Sequence, residues 1–138
     1  MKRLLAGILS LCLLAVLVLP ADAATMIRPN AAWYRVYFGT GVDHPVTSEE
    51  MTLFIDSIVT KRFPEGLSVI EAQGQWASPK HGLIKERTVI VEIQCEDTEE
   101  NFEKIRNIAS MYIKHFERAK ASCFVKRIPN VNTILYFQ

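Results

Sequence analysis

Alternating residues in three segments supply the first candidates for chemistry. Trp33, Arg35 and Tyr37 alternate within WYRVYFG, and Glu71, Gln73 and Gln75 within SVIEAQGQW. Glu86 and Glu92 fall on one parity of LIKERTVIVEIQC. In an extended chain, side chains two apart share a face. An arginine among carboxylates, amides and aromatic rings suits a small polar molecule or a partner surface. No nucleophile can be paired with a base, so no catalytic residue is assigned.

The loop FGTGVDHPVT is the second candidate. Gly39 and Gly41 let a ligand approach the backbone, and Asp43 with His44 has the types of an acid-base pair. The glycine spacing matches no phosphate-binding motif, and the glycines also suit a plain turn. His44, His81 and His115 lie in separate segments without ligand spacing, so no metal and no cofactor is expected. His115, beside Lys114 and Glu117, reads as a solvated helix residue.

The elements that must position these groups follow from patterning. WYRVYFG is the first strand, with Tyr34, Val36 and Phe38 on the face opposite Trp33, Arg35 and Tyr37. Thr47 and Glu50 form a capping box that opens a helix. Its stripe is Met51, Phe54, Ile55, Ile58 and Val59, and Pro64-Glu65-Gly66 stops it. A second strand runs from Leu67 to Trp76, SPKHG turns, and LIKERTVIVEIQC is a third, central strand. Asp97 with Glu100 caps a second helix, with Phe102, Ile105, Ile108, Ala109, Tyr112 and Phe116 as its stripe. The last strand is SCFVKRI, followed after Pro129-Asn130 by the extension VNTILYF.

The order βαββαβ specifies an α+β, ferredoxin-like sandwich: a four-stranded, antiparallel-containing sheet with two helices on one face. The expected strand order is 4-1-3-2, with the first and third strands side by side and parallel. Val89, Val91 and Ile93 then face the helices, as do Ile70, Ala72 and a core-capping Trp76. Thr88, Ile90, Glu71, Gln73, Gln75, Glu86 and Glu92 join Trp33, Arg35 and Tyr37 on the open face. A slip of one residue would invert any strand. Arg35 and Glu92 have a plainer reading as an ion pair across adjacent strands.

Cys95 ends the third strand and Cys123 begins the fourth, which suggests a shared end of the sheet. With the first strand between them they stand about 9–10 Å apart, whereas a disulfide needs Cα atoms within about 7 Å. The pair is a candidate disulfide only if Cys123 curls over the edge. Otherwise both are buried thiols.

Several motifs resemble the DUF3574 family of exported bacterial domains. They are WYRVYFGTG, VTSEEMTLFIDSIVTKRFPEGLSVIEAQGQW and ERTVIVEI, with Arg62-Phe63-Pro64, Gly66 and Gly74-Gln75-Trp76 the most specific. The resemblance spans Trp33 to Phe116 and implies export and an α+β fold. It implies no catalytic residue.

The first 23 residues carry Lys2 and Arg3, an uncharged run from Leu4 to Leu19, and Ala21-Asp22-Ala23. This is the pattern of a signal peptide, cleaved after Ala23. Residues 24–31 are a leader and residues 32–138 a single domain. Removing Lys2, Arg3 and Asp22 from 16 basic and 15 acidic residues leaves 14 of each. A neutral mature chain argues against nucleic acid and anionic membrane, and cleavage leaves no membrane anchor. The expected protein is periplasmic or secreted. It binds a small polar ligand, or a second copy as a homodimer, through the open sheet face. The alternatives are a cofactor-independent enzyme of the dimeric α+β barrel type and a structural envelope protein.

Overall fold

The computed structural model describes residues 24–137. The segment read above as a signal peptide, residues 1–23, lies outside them. Strands β1 (Ala24–Gly39), β2 (Ser68–Ser78), β3 (Gly82–Glu96) and β4 (Ser122–Phe137) form one sheet in the order β2-β3-β1-β4. Every neighbouring pair is antiparallel, which corrects the parallel placement of β1 and β3. Each crossover skips one position. β1 therefore parallels β2, and β3 enters between them with reversed direction.

Helix α1 (Ser48–Phe54) begins at the Thr47 capping box, in which Glu50 also contacts the Thr47 backbone. A π-helical segment (Ile55–Val59) and a last turn, α2 (Thr60–Arg62), continue the run to Phe63. Helix α3 (Glu99–His115) is capped by Thr98, whose hydroxyl accepts from the Asn101 N–H. Asp97 is not the cap. Its carboxylate instead takes the Arg127 guanidinium across the end of the sheet.

The core lies between the helices and one sheet face. Tyr34, Val36, Phe38, Val89, Val91 and Ile93 meet Met51, Val59, Ile105, Ile108, Tyr112 and Phe116 there. β1 starts at Ala24, so the leader is strand, paired with the C-terminal part of β4. The pairing shifts register between Arg28 and Trp33, where Asn30 and Asn130 adopt positive φ of 58° and 57°.

Cys95 is opposite Ala32 and Cys123 opposite Phe38, six residues along β1 and so about 20 Å apart. The two cysteines stand at opposite ends of the sheet, because α3 carries the chain back before β4 begins. They are too far apart to join each other in a disulfide, and burial pushes the Cys123 thiol up to about 12. Intact mass is therefore expected to be the same with and without reductant. Maleimide at neutral pH should label Cys123 only after denaturation. A loss of two protons in the oxidised protein would contradict this topology.

Candidate functional site

Among the described residues no helix packs on the second face of the sheet, and its side chains line up in rows across the four strands. One row is Ile70, Ile90, Tyr37 and Phe124. The next is Ala72, Thr88, Gly39 and Ser122, all small. Beyond it Gly74 faces Glu86, and then Trp76 faces Ile84. Small residues flanked by large ones make a trough. It has a volume of about 540 Å³, within the usual range for small-molecule sites, roughly 300–1,000 Å³.

The Tyr37 and Phe124 rings stack at 4.1 Å and 11° to wall one side, and Trp76 borders the other. Two glycines keep the floor low. A Cβ on Gly39 would sit 2.2 Å from Ser122 Oγ and 2.8 Å from Glu86 Oε1. One on Gly74 would sit 2.5 Å from Thr88 Oγ1. Glu86 is half-buried, and its Oε2 accepts the Gly41 N–H at 2.9 Å. That bond ties the loop after β1 to the trough.

The trough is more apolar than the polar patch read from sequence, because β2 faces the other way. Glu71 pairs with Val89, Gln73 with Arg87 and Gln75 with Lys85, so these three alternate toward the helix side. Glu71 takes Arg87 there in a bidentate pair at 2.9 and 3.0 Å. The guanidinium hydrogen bonds hold its carboxyl below the ordinary carboxylate range. Ile70, Ala72, Gly74 and Trp76 occupy the open face, and Trp76 is 50% exposed rather than a cap on the core. Gln73 and Gln75 border the trough only as chain neighbours of these residues.

Trp33, Arg35, Tyr37, Glu86 and Glu92 do lie on the open face. Only Tyr37 and Glu86 of these line the trough. Arg35 gives its Nε to Glu92 at 2.5 Å and stacks 4.7 Å over Trp33, so these three satisfy one another farther along the sheet. The plainer cross-strand reading of Arg35 and Glu92 is the one the structure contains.

The loop candidates divide. Gly39 is floor, and Gly41, at φ 81°, positions Glu86. Asp43 is an exposed partner of Lys120 at 3.8 Å, and the His44 carbonyl accepts from Arg118. Asp43 and His44 thus serve loop anchoring, with no acid-base geometry. His115 is exposed, its ring edge-on to Phe116. Among the described residues no three metal-ligating side chains cluster, and no helix is long and apolar enough to cross a membrane.

Phe124, Ser122 and Ala72 carried no sequence signal as site residues. Phe124 could have been found from strand parity in SCFVKRI once its pairing with β1 was known. The small row is visible only after four strands are aligned.

These features define an α+β domain of ferredoxin-like topology with an aromatic-walled trough on its uncovered face. The chain belongs to the DUF3574 family, described as a protein of unknown function, which matches residues 34–128. No curated protein is significantly similar in sequence. Among solved structures, a phage SAM lyase in complex with S-methyl-5'-thioadenosine is 18% identical. It superposes with a TM-score of 0.55 over 80% of this chain and 93% of its own. A phage SAM lyase in the apo state gives 17% identity and a TM-score of 0.50 over 78% and 90%. CutA from Synechococcus elongatus, complexed with Bis-Tris, gives 9% and 0.48 over 80% and 89%. At these identities the likeness is one of fold.

Proposed function

We propose that this is an exported domain that binds a small molecule in the open-face trough. The trough itself carries the proposal: a floor of small residues, a stacked aromatic wall and one fixed carboxylate form a shaped recess. A flat ring lying against Tyr37 and Phe124 would be covered on one side and held at its edge by Thr88 and Glu86. A phage SAM lyase of similar fold holds a methylthioadenosine, which makes nucleosides the first compounds to test. The enzymatic alternative looked to Arg35, Tyr37, Glu71 or Glu92 as polar groups in a half-buried cavity. Of these Tyr37 lines the trough, Glu71 is on the other face and Arg35 pairs with Glu92, which favours binding over catalysis.

Native mass spectrometry of protein purified from the periplasm is the test. The expected result is a chain beginning at Ala24 that carries extra mass, and loss of that mass in Ala72→Trp, whose indole fills the floor. Both proteins at the bare masses of their own sequences would overturn the binding reading, and a chain beginning at Met1 would overturn export. A second reading has the same face closed by another copy. Phe124, Trp76 and Ile70 are 60%, 50% and 42% exposed, and large exposed apolar side chains grouped on one face favour association. A dimer that Ala72→Trp leaves intact, with no added mass, would support it.

A further inference from the structure

The geometry points to an organic cation as the ligand, a flat ring bearing an ammonium or similar positive group that Glu86 receives. Glu86 carries the one formal charge among the residues that line the trough. Two other carboxylates of the sheet are neutralised, Glu92 by Arg35 and Glu71 by Arg87, and just beyond β3 Asp97 holds Arg127. Among the described residues Glu86 has no such cation. Its fixed partner is the Gly41 N–H, which satisfies Oε2 and holds the carboxylate in place. Oε1 projects over Gly39, toward the small-residue floor. A half-buried carboxylate with one oxygen tied to a backbone donor is oriented for a second, charged donor.

The walls agree with that charge. The outer face of the Tyr37–Phe124 stack and the half-exposed Trp76 ring attract cations through their quadrupoles and resist anions. An anionic ligand would meet Glu86 with like charge and aromatic faces with the wrong polarity. A neutral ring would bind but leave Oε1 without its strongest partner. This ligand class presupposes the open-face binding proposed above, so its test separates the two.

Matched amine and alcohol pairs make the probe: tryptamine with tryptophol, phenethylamine with phenethyl alcohol, and 5'-amino-5'-deoxyadenosine with adenosine. Each pair shares a ring and differs in charge at neutral pH. Titration of the mature protein, followed by NMR, is expected to show each bound amine at least about tenfold tighter than its alcohol. Glu86→Gln retains an oxygen for the Gly41 N–H and is expected to bring that ratio close to one while alcohol binding persists. Amine and alcohol binding equally to the native protein, both lost in Ala72→Trp, would leave the trough as a site and overturn the cation assignment. An amine preference unchanged in Glu86→Gln would overturn it too. Binding of no pair, or binding that survives Ala72→Trp, would overturn the site as well. Should Glu86→Gln fail to fold, salt decides on the native protein. The amine-to-alcohol ratio should fall as ionic strength rises, and a salt-independent ratio would sink the assignment.

Discussion

Gly41→Ala is expected to destabilise the domain by about 3 kcal/mol or more, read as a lower denaturation midpoint at unchanged slope. Two independent costs meet at this position. Gly41 has φ of 81°, in the region where a β-carbon is crowded by the following carbonyl. A Cβ there would also lie 1.9 Å from the Ala119 carbonyl oxygen, a backbone atom that cannot rotate away. Ala119 is buried, and Lys120 after it is held in a left-handed turn, so the segment has little room to retreat. Whatever shift does occur moves the Gly41 N–H away from Glu86. Ligand affinity should therefore fall beyond the loss in stability. Gly82 makes the internal control. It has a similar φ of 69°, but its Cβ would meet nothing within 4 Å, so Gly82→Ala should cost only the backbone strain. Equal effects at the two sites would show that the Ala119 contact does not matter.

Tyr112→Ala is expected to cost about 3–5 kcal/mol, the range for removing a large aromatic side chain from a packed core. Tyr112 is fully buried, with its ring 4.5, 5.3 and 5.0 Å from Phe38, Phe54 and Phe116. The cluster joins β1, α1 and α3, so one deletion loosens three elements. Burial raises the phenol well above its ordinary pKa, which keeps the hydroxyl a proton donor. It donates to the Gly39 carbonyl at 3.1 Å. Tyr112→Phe keeps the ring and leaves that carbonyl short of a donor, a loss of about 1–2 kcal/mol. Because Gly39 also floors the trough, Tyr112→Phe is a substitution in the core that should weaken ligand binding through the backbone. Thermal or urea denaturation of both variants checks the order. A Phe variant as damaged as Ala would mean that the hydrogen bond, rather than the ring, supports the cluster.

Alternation in β1 and β3 assigned their faces correctly because those strands are central. Each is covered on one side by both helices, so Val36, Phe38, Val89 and Val91 had to be apolar and their neighbours did not. The helix starts and stripes were equally local, since a Thr47–Glu50 box or a Met51–Phe54–Ile55 spacing involves only a turn or two. The choice of Asp97 over Thr98 as cap failed by one residue, because both types cap helices. Only the tertiary pairing with Arg127 withdraws Asp97 from that role.

β2 could not be assigned in the same way. It is an edge strand, and Val69 and Ile70, on opposite faces, are 49% and 42% exposed. With neither parity deeply buried, its composition does not distinguish inside from outside. The tight turn to β3 sets the register instead, by placing Ser78 opposite Gly82 and hence Glu71 opposite Val89. That pairing sends the glutamines and Glu71 away from the site and brings Ala72, Gly74 and Trp76 into it.

The sequence by itself determined the βαββαβ order, the core faces of the central strands and the position of Tyr37 and Glu86 on the uncovered side, because each follows from spacing along one segment. Only the tertiary structure decided that the uncovered side holds a trough. Its floor is a row of Ala72, Thr88, Gly39 and Ser122, residues from four strands whose alignment depends on three registers at once.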